Sequence, residues 1–174
     1  MRIALVTDAW RPQVNGVVTT YANVTRELAA FGHEVLLVTP DQFRTLPCPT
    51  YPSIRLAVLP GRAVARLLEA FDPDAIHLAT EGPLGLAGRA WCSRRGRAFT
   101  TCFHTQLPEY VRLRAPVPLG LSYALVRRFH GAAARTLVPT ESQRRRLELR
   151  GFRNLVLWAR GVDTAVFRPR AKSA

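Results

Sequence analysis

The sequence has 174 residues, the length of one ordinary domain, and 48% of them are hydrophobic and 21% charged. This composition is typical of a globular domain with its own core and excludes a disordered or fibrous chain. The 25 basic residues exceed the 12 acidic ones by 13, and Lys172 is the only lysine among them. The excess favours anionic partners such as nucleic acid, an anionic membrane face or phosphorylated small molecules, although arginines scattered over solvated faces would give the same count.

The cysteines and the apolar runs indicate where such a chain would reside. Cys48, Cys92 and Cys102 show neither C-x-x-C spacing nor histidines at zinc-finger distance, so reduced thiols and no metal site are expected. The apolar run at 3–6 is too short for a signal peptide. The longest uncharged run, 115–126, contains two prolines and falls short of the roughly 18 residues that a spanning helix needs. A cytoplasmic chain that does not cross a membrane is therefore expected.

Short β-branched runs alternate with longer helical patterns along the chain, which is typical of βαβ units in a parallel sheet. A strand is predicted over 2–7, a helix over 17–31 and a second strand over 33–39. Four prolines predict a loop over 40–53 before a third strand over 54–59. The later elements are predicted as helix 63–71, strand 75–78, helix 83–95, strand 98–103, helix 119–135, strand 136–138, helix 141–150 and strand 155–158.

These elements predict an α/β fold, a Rossmann-like doubly wound, mostly parallel sheet of about seven strands. Ligands of an open parallel sheet bind beyond the carboxyl ends of its strands, where loops meet helix N-termini. The residues that follow the predicted strands are polar or glycine, and they include Asp8, Glu81, His104, Thr105, Thr140, Arg160, Gly161 and Asp163. We expect these residues to gather at one edge of the sheet.

Asn15 and Gly16 directly precede a predicted helix. The pair is either a seat for a phosphate at the helix N-terminus or a tight turn with asparagine as the N-cap. His104 could donate to a sugar hydroxyl or a phosphate, act as a general acid or base, or bond locally. Glu81 could bind hydroxyls or cap the helix that begins near residue 83. The other histidines are predicted to be structural, namely His33, His77 and His130.

Several motifs of other enzyme classes do not occur. The sequence contains no G-x-G-x-x-G, no P-loop, no H-E-x-x-H and no G-x-S-x-G. A nicotinamide-dependent enzyme and a nucleoside triphosphatase are therefore disfavoured.

Five segments, in order along the chain, carry a resemblance to a known family. They are TDAWRPQVNGV from Thr7, AIHLATEGPLG from Ala75, TTCFHT from Thr100 with PEY from Pro108, VPTES from Val138, and RGVDTAVFRP from Arg160. With these segments the chain resembles the N-terminal domain of a glycosyltransferase family 4 enzyme of GT-B architecture. It is similar to bacterial α-mannosyltransferases and sulfoquinovosyltransferases.

The resemblance implies two Rossmann-like domains that face each other across a cleft. The N-terminal domain would bind mainly the acceptor, and the C-terminal domain would bind mainly the nucleotide sugar. Transfer would be metal-independent and would retain the anomeric configuration. The substrates implied are a donor such as GDP-mannose or a UDP-sugar, carrying a hexose such as mannose, and a lipid or glycan acceptor. No further cofactor is implied.

The resemblance also assigns roles to residues. Gly16 would lie near the donor phosphates or the acceptor through its backbone, and His104 would reach the transferred sugar as the catalytic residue. The acceptor side would be lined by Asp8, Asn15, Glu81, Tyr110 and Thr140. The segment that reaches the interdomain cleft would contain Arg160, Gly161 and Asp163.

The length departs from that family, whose members have two domains of ordinary size. We expect an acceptor-side domain over 1–166 and a severed interdomain linker over 167–174, with the nucleotide-sugar domain absent. Such a chain would be a truncated enzyme, a gene fragment or one half of a split enzyme. Little would remain in it to stabilise a departing diphosphate, so the chain alone is expected to have negligible transferase activity.

The arginines allow two further interpretations. The stretch 112–153 contains ten arginines and two acids, a local charge of 10 − 2 = +8. An apolar helix with Leu119, Leu121, Tyr123, Leu125 and Val126 precedes Arg127 and Arg128. It could dock on an anionic membrane face or be a core helix with a basic outer end.

The rival function is a non-catalytic basic module that binds nucleic acid or another polyanion. Such a module needs aromatic side chains interleaved with the arginines or a recognisable docking motif. Trp91 and Phe129 instead lie at core spacing in predicted helices, so nucleic acid is not the expected partner.

Overall fold

The structure is a computed structural model that describes residues 1–48, 51–104, 106–164 and 166–169. Thr105, Lys172 and the rest of the predicted linker from 170 onward lie outside the described residues. The described strands are β1 (Arg2–Val6), β2 (Glu34–Val38), β3 (Thr45–Cys48), β4 (Tyr51–Ala57), β5 (Ala75–Leu78), β6 (Thr100–Cys102), β7 (Arg135–Val138) and β8 (Leu155–Leu157).

Six α-helices lie within the same described ranges. They are α1 (Gly16–Ala30), α2 (Gly61–Phe71), α3 (Pro83–Arg95), α4 (Leu107–Arg114), α5 (Leu119–His130) and α6 (Glu141–Glu148). Side-chain caps open α1 and α6, from Asn15 and Thr140. A left-handed glycine, Gly96 at φ 62°, ends α3, which is the backbone conformation that glycine adopts without strain.

The main sheet has six strands in the order β2-β1-β5-β6-β7-β8. Every neighbouring pair in it is parallel. The predicted α/β, Rossmann-like, mostly parallel fold is confirmed. The chain passes from β1 to β2 on one side and returns to β5 on the other side of β1. The loops after β1 and β5 therefore flank the switch point of the sheet, where open α/β folds bind their ligands.

The predicted third strand does not join this sheet, so the sheet has six strands rather than about seven. β4 instead pairs antiparallel with β3, with Thr45 opposite Ala57 and Leu46 opposite Leu56. The predicted loop over 40–53 therefore contains a strand, as well as a short 3-10 helix at Pro40–Gln42. β4 buries only Ala57. Such a strand would gain little apolar burial from joining a sheet that is covered on both faces.

Buried side chains pack on both faces of the main sheet. One cluster contains Val38, Leu68, Leu78, Trp91 and Phe129. Further clusters form around Phe103, Val138 and Leu147 and around Leu5 and Tyr21. Trp91 and Phe129 are core residues, as their spacing predicts, and are therefore not placed to stack on nucleic-acid bases.

Candidate active site at the carboxyl edge of the sheet

Asp8 joins the two loops at the switch point. Its carboxylate accepts hydrogen bonds from Leu84 N–H (2.8 Å) and Gly85 N–H (3.3 Å), at the start of α3. Thr80 Oγ1 also donates to it at 2.8 Å and accepts from Asp8 N–H at 2.7 Å. Burial raises the pKa of this carboxyl, while the bonds from Leu84, Thr80 and Gly85 act in the opposite direction. Asp8 is thus the side-chain anchor for the N-terminus of α3.

Gly82 fits closely against this anchor. A Cβ on Gly82 would stand 2.6 and 2.8 Å from the two carboxylate oxygens of Asp8. Gly82 is also the N-cap of α3, so the interpretation of Glu81 as that cap is wrong. The cap must directly precede the helix, and α3 begins at Pro83.

Asn15, Gly16 and Arg160 meet at the start of α1. Asn15 Oδ1 accepts from the N–H groups of Val17 and Val18, both at 3.0 Å, which confirms the N-cap interpretation. A Cβ on Gly16 would lie 3.7 Å from Arg160 Nη1, so the guanidinium stands against the positive end of the helix. Arg160 Nε is buried and has no hydrogen-bond partner among the described residues. A helix N-terminus and a guanidinium side by side form a strongly anion-attracting surface.

Tyr21 connects two histidines beside this surface, in what we call the Tyr21 array. Its hydroxyl lies 2.5 Å from His104 Nε2 and 2.7 Å from His77 Nε2. His77 Nδ1 is in turn 2.8 Å from Thr100 Oγ1. Because a tyrosine hydroxyl has one proton, it donates to one histidine and accepts from the other. The tautomers of His77 and His104 are therefore coupled.

The electrostatics keep both histidines neutral. Burial, with the nearby Arg160 and histidines, lowers the pKa of His104 to about 3, and burial lowers that of His77 to about 4. Cys102 Sγ lies 3.6 Å from His104 Nδ1, and burial raises the pKa of this thiol to about 12. His104 can accordingly donate or accept a hydrogen bond at neutral pH, but the positive charge at this edge comes from Arg160.

Trp158 completes the wall around His104. Its ring lies 6.3 Å from His104, in a T-shaped arrangement, and 6.4 Å from Tyr21. Sequence reasoning missed Trp158, Tyr21 and the part of His77 in the array. The predicted strand 155–158 included Trp158, whereas β8 ends at Leu157 and leaves Trp158 just beyond it. Tyr21 lies on a helix, where a buried aromatic is usually a core residue.

Glu81 belongs to a second polar cluster. Its Oε1 lies 2.8 Å from Nε2 of His130, and His130 Nδ1 lies 2.8 Å from Thr101 Oγ1. Asn154 Nδ2 donates to the carbonyl oxygen of His130 at 2.8 Å. His130 is fully buried, and its two ring nitrogens have partners, as buried polar groups require.

The other predicted site residues lie apart from His104 or shape the chain near it. Tyr110 is half exposed on α4, and the guanidinium of Arg114 covers its ring at 4.5 Å. Thr140 accepts from Gln143 N–H at 3.2 Å as the cap of α6. Asp163 holds its segment against α1, because Arg26 Nη2 donates to its carboxylate at 3.4 Å. Gly161 has open space where a Cβ would be. The structure therefore brings Gly16, His104 and Arg160 together, and it gives Tyr110 and Thr140 other contacts.

These features define a Rossmann-like domain with a cationic, histidine-containing edge at its switch point. A model of Glycosyltransferase Family 4 matches residues 14–166. The chain belongs to this family, which confirms the resemblance drawn from the five segments.

Three relatives show the range of similarity. A GDP-mannose-dependent alpha-mannosyltransferase of Mycobacterium tuberculosis is 30% identical, with 99% of this chain aligned to 50% of the relative. A GDP-mannose-dependent alpha-(1-6)-phosphatidylinositol dimannoside mannosyltransferase of the same species is 28% identical, with 100% of this chain aligned to 49% of it. A sulfoquinovosyl transferase of Arabidopsis thaliana is 28% identical over 92% of this chain and 35% of its own length. The chain thus spans half or less of the length of these relatives.

Two features of the described residues concern the membrane and metals. None of the helices in the described ranges has the length and apolarity to cross a bilayer. Within the same ranges no group of three or more histidine, cysteine, aspartate or glutamate side chains is arranged to hold a metal ion.

Proposed function

We propose that this chain is the acceptor-binding half of a retaining, metal-independent glycosyltransferase that moves a hexose, such as mannose, from a nucleotide sugar to a lipid acceptor. The observation that carries the proposal is the guanidinium of Arg160 set against Gly16 at the N-terminus of α1, beside the neutral imidazole of His104. The GDP-mannose dependence of the mannosyltransferase relatives supports the donor. The phosphatidylinositol dimannoside named for one of them supports a lipid acceptor.

The chemistry assigns a different task to each group. A departing diphosphate develops negative charge, of which Arg160 and the positive end of α1 would stabilise a part and the second domain the rest. His104 would contact a hydroxyl of the transferred sugar, because a neutral imidazole orients a hydroxyl without competing for the phosphate. Glu81 would face the acceptor. Asp8 and Asn15 would act through the helix N-termini whose N–H groups they bind.

The proposal extends to the domain arrangement. Residues 1–166 would form the acceptor wall of a cleft, and the chain from 167 onward would lead to a second domain, outside this sequence, that binds the nucleotide. The enzyme would work in the cytoplasm, peripherally on the inner membrane face.

The test uses this chain with its proposed C-terminal domain, either joined to it in one polypeptide or co-expressed as a second one. GDP-mannose and UDP-sugars are offered with phospholipid acceptors, and transfer of labelled sugar is measured. Arg160→Gln should lower kcat by about a hundredfold, the usual cost of removing one stabilising donor from the transition state. Arg153→Gln, which neutralises an exposed arginine after α6, should leave kcat within about twofold.

Other outcomes would count against the proposal. Transfer from no nucleotide sugar would overturn it, as would equal losses in Arg160→Gln and Arg153→Gln. Turnover by the 174-residue chain alone would refute the idea that a second domain is needed. A salt-sensitive shift of random DNA, unaffected by nucleotide sugars, would favour the polyanion-binding alternative.

A further inference from the structure

A groove between α3, α4 and α5 encloses about 490 Å³. We call it the α3–α5 groove. Its wall is largely apolar and includes Leu86, Leu107, Val111, Leu125 and Phe129. This volume and this lining are in the range of sites that bury an organic ligand. Glu81 is the one candidate acceptor residue among the described residues of this wall.

Two polar atoms of the groove have no hydrogen-bond partner among the described residues. One is Oγ of Ser122, a residue that is only 6% exposed. The other is the buried Nε of Arg89, whose Nη2 donates to the carbonyl oxygen of Arg128 at 3.2 Å. A buried polar group without a partner costs about 1–3 kcal/mol. Both groups can donate a hydrogen bond, and both belong to residues that line the groove.

The charges of the groove also favour an anion. Arg89 and Arg128 contribute two positive charges, and Glu81 contributes one carboxylate. That carboxylate already binds His130, on the side away from solvent, at 2.8 Å. The balance of 2 − 1 = +1 complements a singly charged phosphate.

We propose that the α3–α5 groove binds a phospholipid, with its acyl chain against the apolar wall and its phosphate at Arg89, Arg128 and Ser122. Glu81 follows β5 at the switch point, so the groove leads to the carboxyl edge of the sheet. That the bound phospholipid is also the sugar acceptor rests on the proposed function, whereas the binding of the phospholipid does not. The two are therefore tested separately.

The binding test titrates the chain with decyl phosphate below its micelle concentration, followed by calorimetry. Excess inorganic phosphate is present throughout to occupy the surface at Arg160. We expect saturable binding of one decyl phosphate, and weaker binding of decyl maltoside, which has the same chain and no charge. Loss of all binding in inorganic phosphate, or equal affinity for the two amphiphiles, would overturn the proposal.

Matched variants locate the site. Leu125 and Leu121 are 59% and 53% exposed on the same helix, but only Leu125 lines the groove. Leu125→Asp should weaken the binding of decyl phosphate about tenfold or more, because a charge would face the hydrocarbon chain. Leu121→Asp should change the affinity by no more than about twofold. Arg89→Gln should weaken the binding of decyl phosphate likewise, whereas Arg94→Gln, at an exposed position near the end of the same helix α3, should not.

The outcomes separate this inference from the proposed function. Circular dichroism and the Tm of each variant show whether it folds. If Leu125→Asp does not fold, Arg89→Gln still tests the groove. Equal effects of the groove variants and their controls would overturn the groove. If decyl phosphate fails to bind while the two-domain enzyme still transfers sugar, only the groove inference fails. If it binds and no sugar is transferred, the groove stands and the proposed function fails.

Discussion

At the edge of the sheet Arg160 is positively charged, whereas His104 is neutral. The low pKa of His104, about 3, has burial as its main cause and the positive charge of Arg160 as its second. A protonated His104 would add to a charge that Arg160 already supplies. In the neutral form one ring nitrogen donates and the other accepts, and these two atoms contact the Tyr21 hydroxyl and Cys102 Sγ. Tyr21 supports this state because its hydroxyl bonds His104 Nε2 at 2.5 Å.

The stability of the fold should depend on the protonation of His77. Its pKa is about 6.5 when unfolded and about 4 when folded, lowered by burial. The unfolded chain thus takes up a proton first as the pH falls, so the stability present above pH 6.5 is lost towards pH 4. Between about pH 7 and about pH 4.5 this histidine should account for about 2–3 kcal/mol of the lost unfolding free energy.

The check is urea unfolding of the chain and of His77→Gln at both pH values. Glutamine retains a polar side chain that does not titrate, so the variant should lose less stability on acidification. Asp8, whose pKa is raised by burial, changes the unfolding free energy with pH in the opposite direction. Because Asp8 is present in both chains, its contribution cancels when the two losses of stability are subtracted. Equal losses in the two chains would show that His77 titrates normally in the folded state.

The strand-end rule found part of the site from sequence. His104 lies two residues beyond β6, and Arg160 three beyond β8. Parallel strands bring such residues to one edge whatever their distance along the chain. Tyr21 could not be found in this way, because it lies within α1 and its role depends on which strand residues it faces. Its contact with His77 joins residues 56 positions apart.

The central strands and five of the described helices were predictable from apolar runs and helix-end signals, but α4 was not, because it buries only Pro108. The predicted helix 119–135 also ends earlier, at His130, since Arg135 begins β7. α3 has the predicted bounds, Pro83–Arg95, since Pro83 favours the first helical position and Gly96 favours the left-handed end. The hairpin of β3 and β4 was not predictable in the same way. Pro47 and the prolines around it indicate a loop, and the apolar residues of β4 do not show whether its partner is the main sheet or its neighbour in sequence.

The first turn of α3 leaves no room for a side chain at Gly85. A Cβ there would collide with the carbonyl oxygen of Thr80, next to the Asp8 anchor. Gly85→Ala should therefore lower the unfolding free energy by about 2 kcal/mol or more, because backbone must shift. Gly120→Ala on α5, where a Cβ meets nothing within 4 Å, should raise it by up to about 1 kcal/mol. Chemical denaturation measures both, and a destabilised Gly120→Ala or a neutral Gly85→Ala would contradict the packing.

At the scale of the whole molecule, the net charge of +13 acts together with one apolar surface. Tyr123 and Val126 of α5 are buried, so the predicted apolar helix is partly a core helix, but Leu121 and Leu125 remain exposed. Arg127 and Arg128 lie on the same helix, and the stretch 112–153 has a local charge of 10 − 2 = +8. Cations next to exposed leucines favour an anionic bilayer, at about 1 kcal/mol for each arginine near the surface.

The chain should consequently bind vesicles that contain about 30% phosphatidylserine, and high salt should weaken the binding through screening. The double variant Arg112→Glu, Arg128→Glu alters the surface of α4 and α5. The double variant Arg62→Glu, Arg66→Glu makes the same change in net charge on exposed positions of α2. In co-sedimentation, the first should weaken binding about tenfold more than the second, because only residues that face the bilayer lose a contact. Equal effects would mean that the vesicles respond to total charge, and that no particular face of this domain docks on the membrane.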